Sequence, residues 1–317
     1  MKVIKDLKFF LKERHPVVLA AGFFDGIHRG HRRVISKTVA EAKRLGGKAW
    51  VLTFHQHPMK ILRPASAPLL LTSNRHKVRL LEKMNVDGCL LMPFTRKLAE
   101  LAPEAFVELL STTIPTLTRI FVGANWRFGR RERGDAEMLI KLAQRFYIKV
   151  TIVQSVIKAG RIVSSTRIRE KIASGNLAKA GQMLGRPFSI IGNVIRGRAV
   201  GRKLGFPTAN LETYNEVLPP TGVYAVHVLV GRNVVNGVAN IGVCPTFPGA
   251  RKRKTIIEVH LLDIKGNLYG RELEIFFVKK LRDEKRFGSV QALKEQIEKD
   301  IRETQSILQK NCRLLKV

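Results

Sequence analysis

The first half of the chain alternates short apolar runs with segments whose apolar residues recur at helical spacing. The runs are VVLAAG (17–22), AWVLTF (49–54), DGCLLM (87–92), RIFVG (119–123) and VTIVQSV (150–156). Hydrophobicity that is continuous rather than alternating predicts strands buried on both faces, hence a parallel sheet covered by helices. HRRVISKTVAEAKRLG (31–46) predicts such a covering helix, stopped by a glycine pair, and KVRLLEKMNV and EAFVELLS repeat its spacing. The expected architecture is a doubly wound α/β domain.

The pattern changes around GQMLGRPFSI (181–190). Runs rich in β-branched residues follow, bounded by Gly, Pro and Asn: FSIIGNVI, GVYAVHVLV, NVVNGVANIG, TIIEVHLLD and ELEIFFVKKL. Strands at such short spacing predict an antiparallel barrel or sandwich. A last helix is expected over 290–308, where Leu293, Ile297 and Ile301 share one face. A chain of 317 residues exceeds the usual single-domain size, and the change of period puts the boundary near Gly185, giving domains 1–184 and 185–317.

Composition adds two constraints. Lys and Arg outnumber Asp and Glu by 57 to 25, a formal charge of +32, which favours anionic partners without saying which. Cys89, Cys244 and Cys312 are odd in number, far apart and fit no zinc or CxxC spacing, as expected of a protein in a reducing compartment. The opening MKVIKDLKFFLKE has no uninterrupted apolar core, and no apolar run is long enough to span a bilayer, so the expected location is cytoplasmic.

The chemistry concentrates in two places. GFFDGIHRGH (22–31) follows the first predicted strand and enters the first helix, where open α/β sheets bind ligands. Gly22 and Gly26 permit a tight turn around Asp25, and the helix N-terminus offers unpaired N–H groups to an anion. His28 and His31 point to one side. They read either as a local cap or packed pair, or as neutral imidazoles donating N–H bonds to phosphate, since a zinc site lacks further ligands at matching spacing. SSTRIRE (164–170) would add Ser165, Thr166 and Arg169 to a phosphate site. In the second domain, GRAVGRKLGFPTANLE (197–212) reads as an ordinary glycine-rich turn or as a phosphate loop. In the second case Gly197, Gly201 and Gly205 make room for phosphate beside Arg202, and Thr208 with Asn210 supplies oxygens to Mg²⁺.

GFFDGIHRGH, TFHQHP, VGANWRFGRRERGD and SSTRIR together resemble the adenylyltransferase module of bacterial bifunctional riboflavin kinase/FAD synthetases, within the HxGH nucleotidyltransferase superfamily. From about residue 185 onward, GRKLGFPTAN, PPTGVYAV, NGVANIGVCPTF, TIIEVHLLD, YGREL and LRDEKRF resemble the riboflavin kinase module. The first resemblance implies ATP over the HxGH turn, attack of FMN phosphate on the α-phosphorus, and contact of Asn125 with nucleotide or metal. The second implies a six-stranded barrel binding MgATP and riboflavin, with Glu258 as the base. For Glu258 the alternative is an outward-facing strand residue opposite a Lys. Arg282 would lie beside the flavin or pair with Asp283 or Glu284. The family pattern is broken at Phe23, where Asn is usual, at His55, where an acid is common, and at Trp126, which replaces Phe. These departures leave a riboflavin kinase with a weak adenylyl site as one rival reading. A basic RNA-binding protein is the other, although no aromatic stacking motif interleaves the basic runs 127–135 and 249–255.

Overall fold

The computed structural model describes residues 1–197, 200–245, 253–262, 264 and 266–310. Most of the basic run 249–255, and Cys312, lie outside them. The chain divides into two compact units, Met1–Ser165 and Thr166–Val317, so residues 166–184 group with the second.

The first unit is built on a six-stranded parallel sheet of β1 (Lys2–Ile4), β2 (Val17–Ala21), β3 (Lys48–Phe54), β4 (Gly88–Met92), β5 (Leu117–Gly123) and β6 (Lys149–Val153). Their order across the sheet is β1-β4-β3-β2-β5-β6. Successive residues of β2 feed opposite cores, as the continuous apolar runs require. Val17, Leu19 and Ala21 join Trp50, Leu52, Phe106 and Leu139 on one face, while Val18 and Ala20 meet Val34, Ile35, Val51 and Leu91 on the other. Five of the six strands coincide with predicted runs. The sixth, β1, has only three residues, two of them exposed, and too little apolar surface to announce itself.

Helix α1 (Arg29–Arg44) buries Val34, Ile35, Thr38 and Ala42 and lies against β2, β3 and β5. Helix α2 (Asn74–Glu82) starts at Ser73, whose hydroxyl accepts from the His76 amide. SSTRIRE opens a helix soon after the fifth predicted strand. A small antiparallel hairpin, Ile157–Lys158 against Arg161–Ile162, intervenes before helix α3 (Ser165–Ala173).

The second unit carries the six-stranded closed antiparallel barrel: β7 (Ser189–Ile195), β8 (Ala209–Thr213), β9 (Gly222–Val230), β10 (Asn233–Pro245), β11 (Arg253–Leu261) and β12 (Glu272–Arg282). The order round the barrel is β7-β8-β11-β10-β9-β12, so no strand edge is left open. The expected terminal helix, α4 (Val290–Lys310), packs on β9, β10 and β12. Tyr224 and Phe277 meet edge to face inside the barrel, with ring centroids 5.3 Å apart. The Tyr224 hydroxyl donates to the Pro220 carbonyl at 2.5 Å, and burial pushes its phenol up to about 12.

Tyr224 and Phe277 make distinct contributions. Tyr224→Phe removes one hydrogen bond and is expected to lower stability by about 0.5–1.5 kcal/mol. Phe277→Ala opens a cavity in the barrel and is expected to cost about 3–5 kcal/mol. Urea unfolding of the two variants, monitored by far-UV circular dichroism, should give midpoints in that order.

Candidate active sites

The strand order reverses between β2 and β5, and a crevice of about 280 Å³ opens beyond the C-terminal ends of β2, β5 and β6. Gly22, Phe23, His28, His31, Asn125 and Ser165 are among the residues that line it. Five of these six were expected site residues.

The turn from β2 into α1 is tightly wound. Phe24, Gly26 and Ile27 all have positive φ, at 52°, 81° and 38°. Two side-chain-bearing residues in that region hold strain that their surroundings must stabilise. Burial supplies part of this, since Phe24 and Ile27 are both enclosed in the core. Asp25 supplies more. Its carboxylate faces inward and accepts from the Leu71 amide at 3.0 and 3.1 Å and from the Thr72 amide at 3.1 Å. The Thr72 hydroxyl accepts from the Gly26 amide at 3.1 Å. Asp25 is therefore corrected from a phosphate-contacting residue to one that ties the turn to segment 71–72; a buried carboxylate aimed at backbone amides has nothing to offer an anion. Ser165 is similar, since its hydroxyl donates to the Asp25 carbonyl at 2.9 Å and that proton is committed.

His28 is the N-cap of α1, and its Nδ1 accepts from the His31 amide at 3.3 Å. Local capping and ligand contact are compatible here. With Nδ1 accepting, a neutral His28 ring carries its proton on Nε2. The imidazoles of His28 and His31 stack 3.6 Å apart at 21°. Gly30 permits this, because a Cβ there would lie 3.1 Å from His28 Cε1. Burial, then the nearby His28 and Lys77, push His31 well below the ordinary imidazole range. His31 is thus held as a neutral imidazole near the N-terminus of a helix.

Around the same crevice, Asn125 is exposed just beyond β5, and Trp126 stacks on Phe128 at 4.7 Å. Phe23 meets His57 edge to face at 4.6 Å. Thr166 and Arg169 lie on α3 and are grouped with the second unit.

In the barrel, Gly197, Arg202, Thr208 and Asn210 converge on a small cavity of about 20 Å³, joined by Pro207 and Tyr269. Gly197 is required there because a Cβ would collide with the Asn210 amide. A Cβ on Gly201 would collide with the Phe206 carbonyl, and Gly205 has φ +92°. The expected continuous glycine loop contains a four-residue helical turn, Val200–Lys203. Thr208 directly precedes β8, and Asn210 lies within it. Asn210 is opposite Glu258, which is opposite Asn240, so the three form one row across β8, β11 and β10 on one face of the wall. Asn240 Nδ2 donates to Glu284 at 3.3 Å, bringing the LRDEKRF segment to that row.

Arg282 donates through Nε and Nη2 to the Asp300 carboxylate at 2.8–3.1 Å, and through Nη1 to the Asp283 carbonyl at 3.0 Å. Its ionic partner is thus on α4 rather than at 283 or 284, and the guanidinium ties that helix to the barrel. Among residues the sequence reading passed over are Thr53, Thr72, Lys77, Tyr269 and Asn240. Tyr269 and Asn240 stood inside quoted motifs. Lys77 had a readable signal, since it occupies the core-facing phase of a helix with Leu80 and Leu81.

Residues 11–167 match the FAD synthetase family model, and residues 184–308 match the riboflavin kinase model. The bifunctional riboflavin kinase/FMN adenylyltransferase of Escherichia coli K12 is 39% identical over 284 residues, covering 89% of this chain and 90% of that protein. The chain belongs to this bifunctional family. The Haemophilus influenzae member is 36% identical over 302 residues, covering 95% of this chain and 97% of its own. A solved structure described as a macrolide-efflux protein from Streptococcus pneumoniae superposes with TM-score 0.84 at 30% identity, covering 96% of this chain and 98% of that one. Among the described residues of this family member, no helix is long and apolar enough to cross a membrane.

The depressed His31 imidazole has a measurable consequence. The unfolded ring titrates near 6.5 and the folded ring well below it, so His31 contributes stability above about pH 6.5 that is lost as pH falls toward its folded value. The urea midpoint of the wild type is expected to fall between pH 7.5 and 5. The fall should be shallower in His31→Asn, which has no proton to bind.

Proposed function

We propose that the crevice beyond β2, β5 and β6 carries FMN adenylyl transfer and that the barrel row Asn210–Glu258 carries riboflavin phosphorylation. The first reading rests on one observation above the others: two stacked imidazoles at the start of α1, one of them capping the helix through Nδ1, line a cleft at the strand-order reversal. Phosphoryl transfer asks the protein mainly to align ligands and stabilise developing charge. A phosphate oxygen of FMN attacks the α-phosphorus of ATP, the bond to the bridging oxygen of the β-phosphate breaks, and pyrophosphate leaves with the electron pair. His28 and His31 donate hydrogen bonds to oxygens that gain charge, and the amides opening α1 assist. Being neutral, His31 adds no second cation to a dipole end that is already positive. Asn125 lies across the crevice for a polar contact with nucleotide, and Thr166 with Arg169 is assigned to phosphate.

In the barrel, the primary ribityl hydroxyl is a weak nucleophile. Glu258 accepts its proton while the oxygen attacks the γ-phosphorus of ATP and ADP leaves, assistance typically worth about 10²–10⁴ in rate. Gly197, Gly201 and Gly205 let the backbone approach the phosphates, with Arg202 beside them. The hydroxyl of Thr208 and the amide oxygen of Asn210 are hard oxygen donors beside a small cavity, a set that suits Mg²⁺ shared with phosphates. When bound, Mg²⁺ offsets charge on the transferring phosphate. We keep the functional boundary at 184/185, at the start of the riboflavin kinase match. A cytoplasmic location completes the reading, since both reactions draw on ATP.

The purified chain with riboflavin and MgATP is expected to accumulate FMN and then FAD, resolved by liquid chromatography. FMN as sole flavin should give FAD; its failure to do so would reduce the protein to a riboflavin kinase. Glu258→Ala should lower FMN formation by about 10²-fold or more while leaving FMN to FAD intact. His28→Ala should do the reverse. Loss of both activities in either folded variant would refute the assignment of one reaction to each unit.

A further inference from the structure

Lys77 is a buried lysine that neither reaction, as assigned above, employs. It sits on the inner face of α2, 2% exposed, and its Nζ reaches three oxygens: the Phe23 carbonyl at 2.9 Å, the Thr53 hydroxyl at 3.2 Å and the Phe54 carbonyl at 3.3 Å. An ammonium has three protons, and each has an acceptor. Thr53 in turn donates to the Phe23 carbonyl at 2.7 Å, so that oxygen receives two bonds. The ammonium also lies 4.4 Å from the centroid of the Phe23 ring.

These acceptors come from the turn that opens the crevice and from the end of β3, just past the last backbone bond between the two segments, from the Gly22 amide to the Leu52 carbonyl at 3.1 Å. Phe23 directly precedes the strained residues Phe24 to Ile27. Its carbonyl therefore helps set where the turn begins, as Asp25 sets its middle. All three acceptors are neutral, and Asp25 is the acid whose field Lys77 feels most. An amide could satisfy two carbonyls at lower desolvation cost than a cation. What a cation adds is charge behind a turn whose other side, in the reading above, meets triphosphate.

We propose that Lys77 is a positioning residue for adenylyl transfer, latching the turn after β2 to the end of β3 and placing one positive charge behind the phosphate-facing histidines. The inference rests on the crevice being the adenylyl site. Burial lowers Lys77 to about 8, which leaves it mostly charged at neutral pH. His31 is faced by His28 across the ring stack, by Phe24 edge-on and by the charge of Lys77; the two titratable neighbours both disfavour its protonation. Lys77 thus helps hold His31 as a neutral donor.

Two variants separate latch from charge. Lys77→Met removes both, and Lys77→Gln keeps two amide protons without the charge. FMN to FAD conversion, with kcat and ATP KM measured separately, is compared with riboflavin phosphorylation in the same sample, which reports on intact protein. Wild-type failure to make FAD would sink the adenylyl reading itself, independently of Lys77. Given wild-type activity, Lys77→Met is expected to lose about 10- to 100-fold in kcat for FAD formation. Its riboflavin phosphorylation should stay within about twofold. The His31 ring, followed by NMR, should titrate at higher pH once the cation is gone, and the acidic limb of the FAD rate should move up with it. Lys77→Gln should regain part of kcat without restoring the His31 titration. If Lys77→Met does not fold, Lys77→Gln is judged by the same readouts. FAD formation within twofold of wild type in a folded variant, or an unmoved His31 titration, overturns the proposal.

Discussion

The Asp25 carboxylate, enclosed in the first unit and accepting amide protons from Leu71 and Thr72, is the interaction on which the first site depends. The turn from β2 into α1 carries two non-glycine residues with positive φ, a conformation an isolated segment of this sequence would abandon. It persists because charge-assisted bonds to Asp25, the bond from Gly26 to Thr72 and the burial of Phe24 and Ile27 leave it no other arrangement. The result is a helix start with His28 at its cap and His31 stacked above, both held before any ligand arrives. Such preorganisation is what electrostatic stabilisation of a transferring phosphate requires.

The barrel solves the same problem with less strain. Its closed hydrogen-bonded wall puts Asn210, Glu258 and Asn240 in one row by register alone, so a proton acceptor and a hard oxygen donor become neighbours without an unusual backbone. The glycine-bearing segment between β7 and β8 then needs only to bring Gly197 and Arg202 to Asn210, which the missing Cβ at 197 permits. Arg282 makes a separate contribution, fixing α4 to the barrel wall through a two-pronged bond to Asp300.

Much of this was legible in the chain, and the exceptions have physical reasons. Strands β2 to β5 could be read because burial on both faces demands unbroken apolar runs; β6, at the sheet edge with only Val153 fully buried, still shows an apolar run. β1 has three residues and two exposed side chains, and β8, read as loop, has only Ala209 and Leu211 buried. The histidines, Gly197, Thr208 and Asn210 could be singled out because each stands in a short motif whose spacing carries chemistry, whereas Asn125 came from the family resemblance alone. Asp25 was misassigned, and the Asp300 partner of Arg282 was missed, for a common reason. Their motifs gave their neighbourhood, whereas their partners lie 46 and 18 residues away along the chain, beyond what local spacing can report.

Lys77 shows where a finer signal lay. A charged residue on the core-facing phase of an amphipathic helix breaks the binary pattern, and burying an ammonium is costly unless oxygen acceptors await it. Such a break therefore implies convergent carbonyls, and in an α/β sheet the carbonyls left without ladder partners are those just past the strand ends. That is also where open sheets bind ligands. A lysine in phase with Leu80 and Leu81 thus pointed toward the crevice before any coordinates, and its three oxygens come from the ends of β2 and β3 as that reasoning requires.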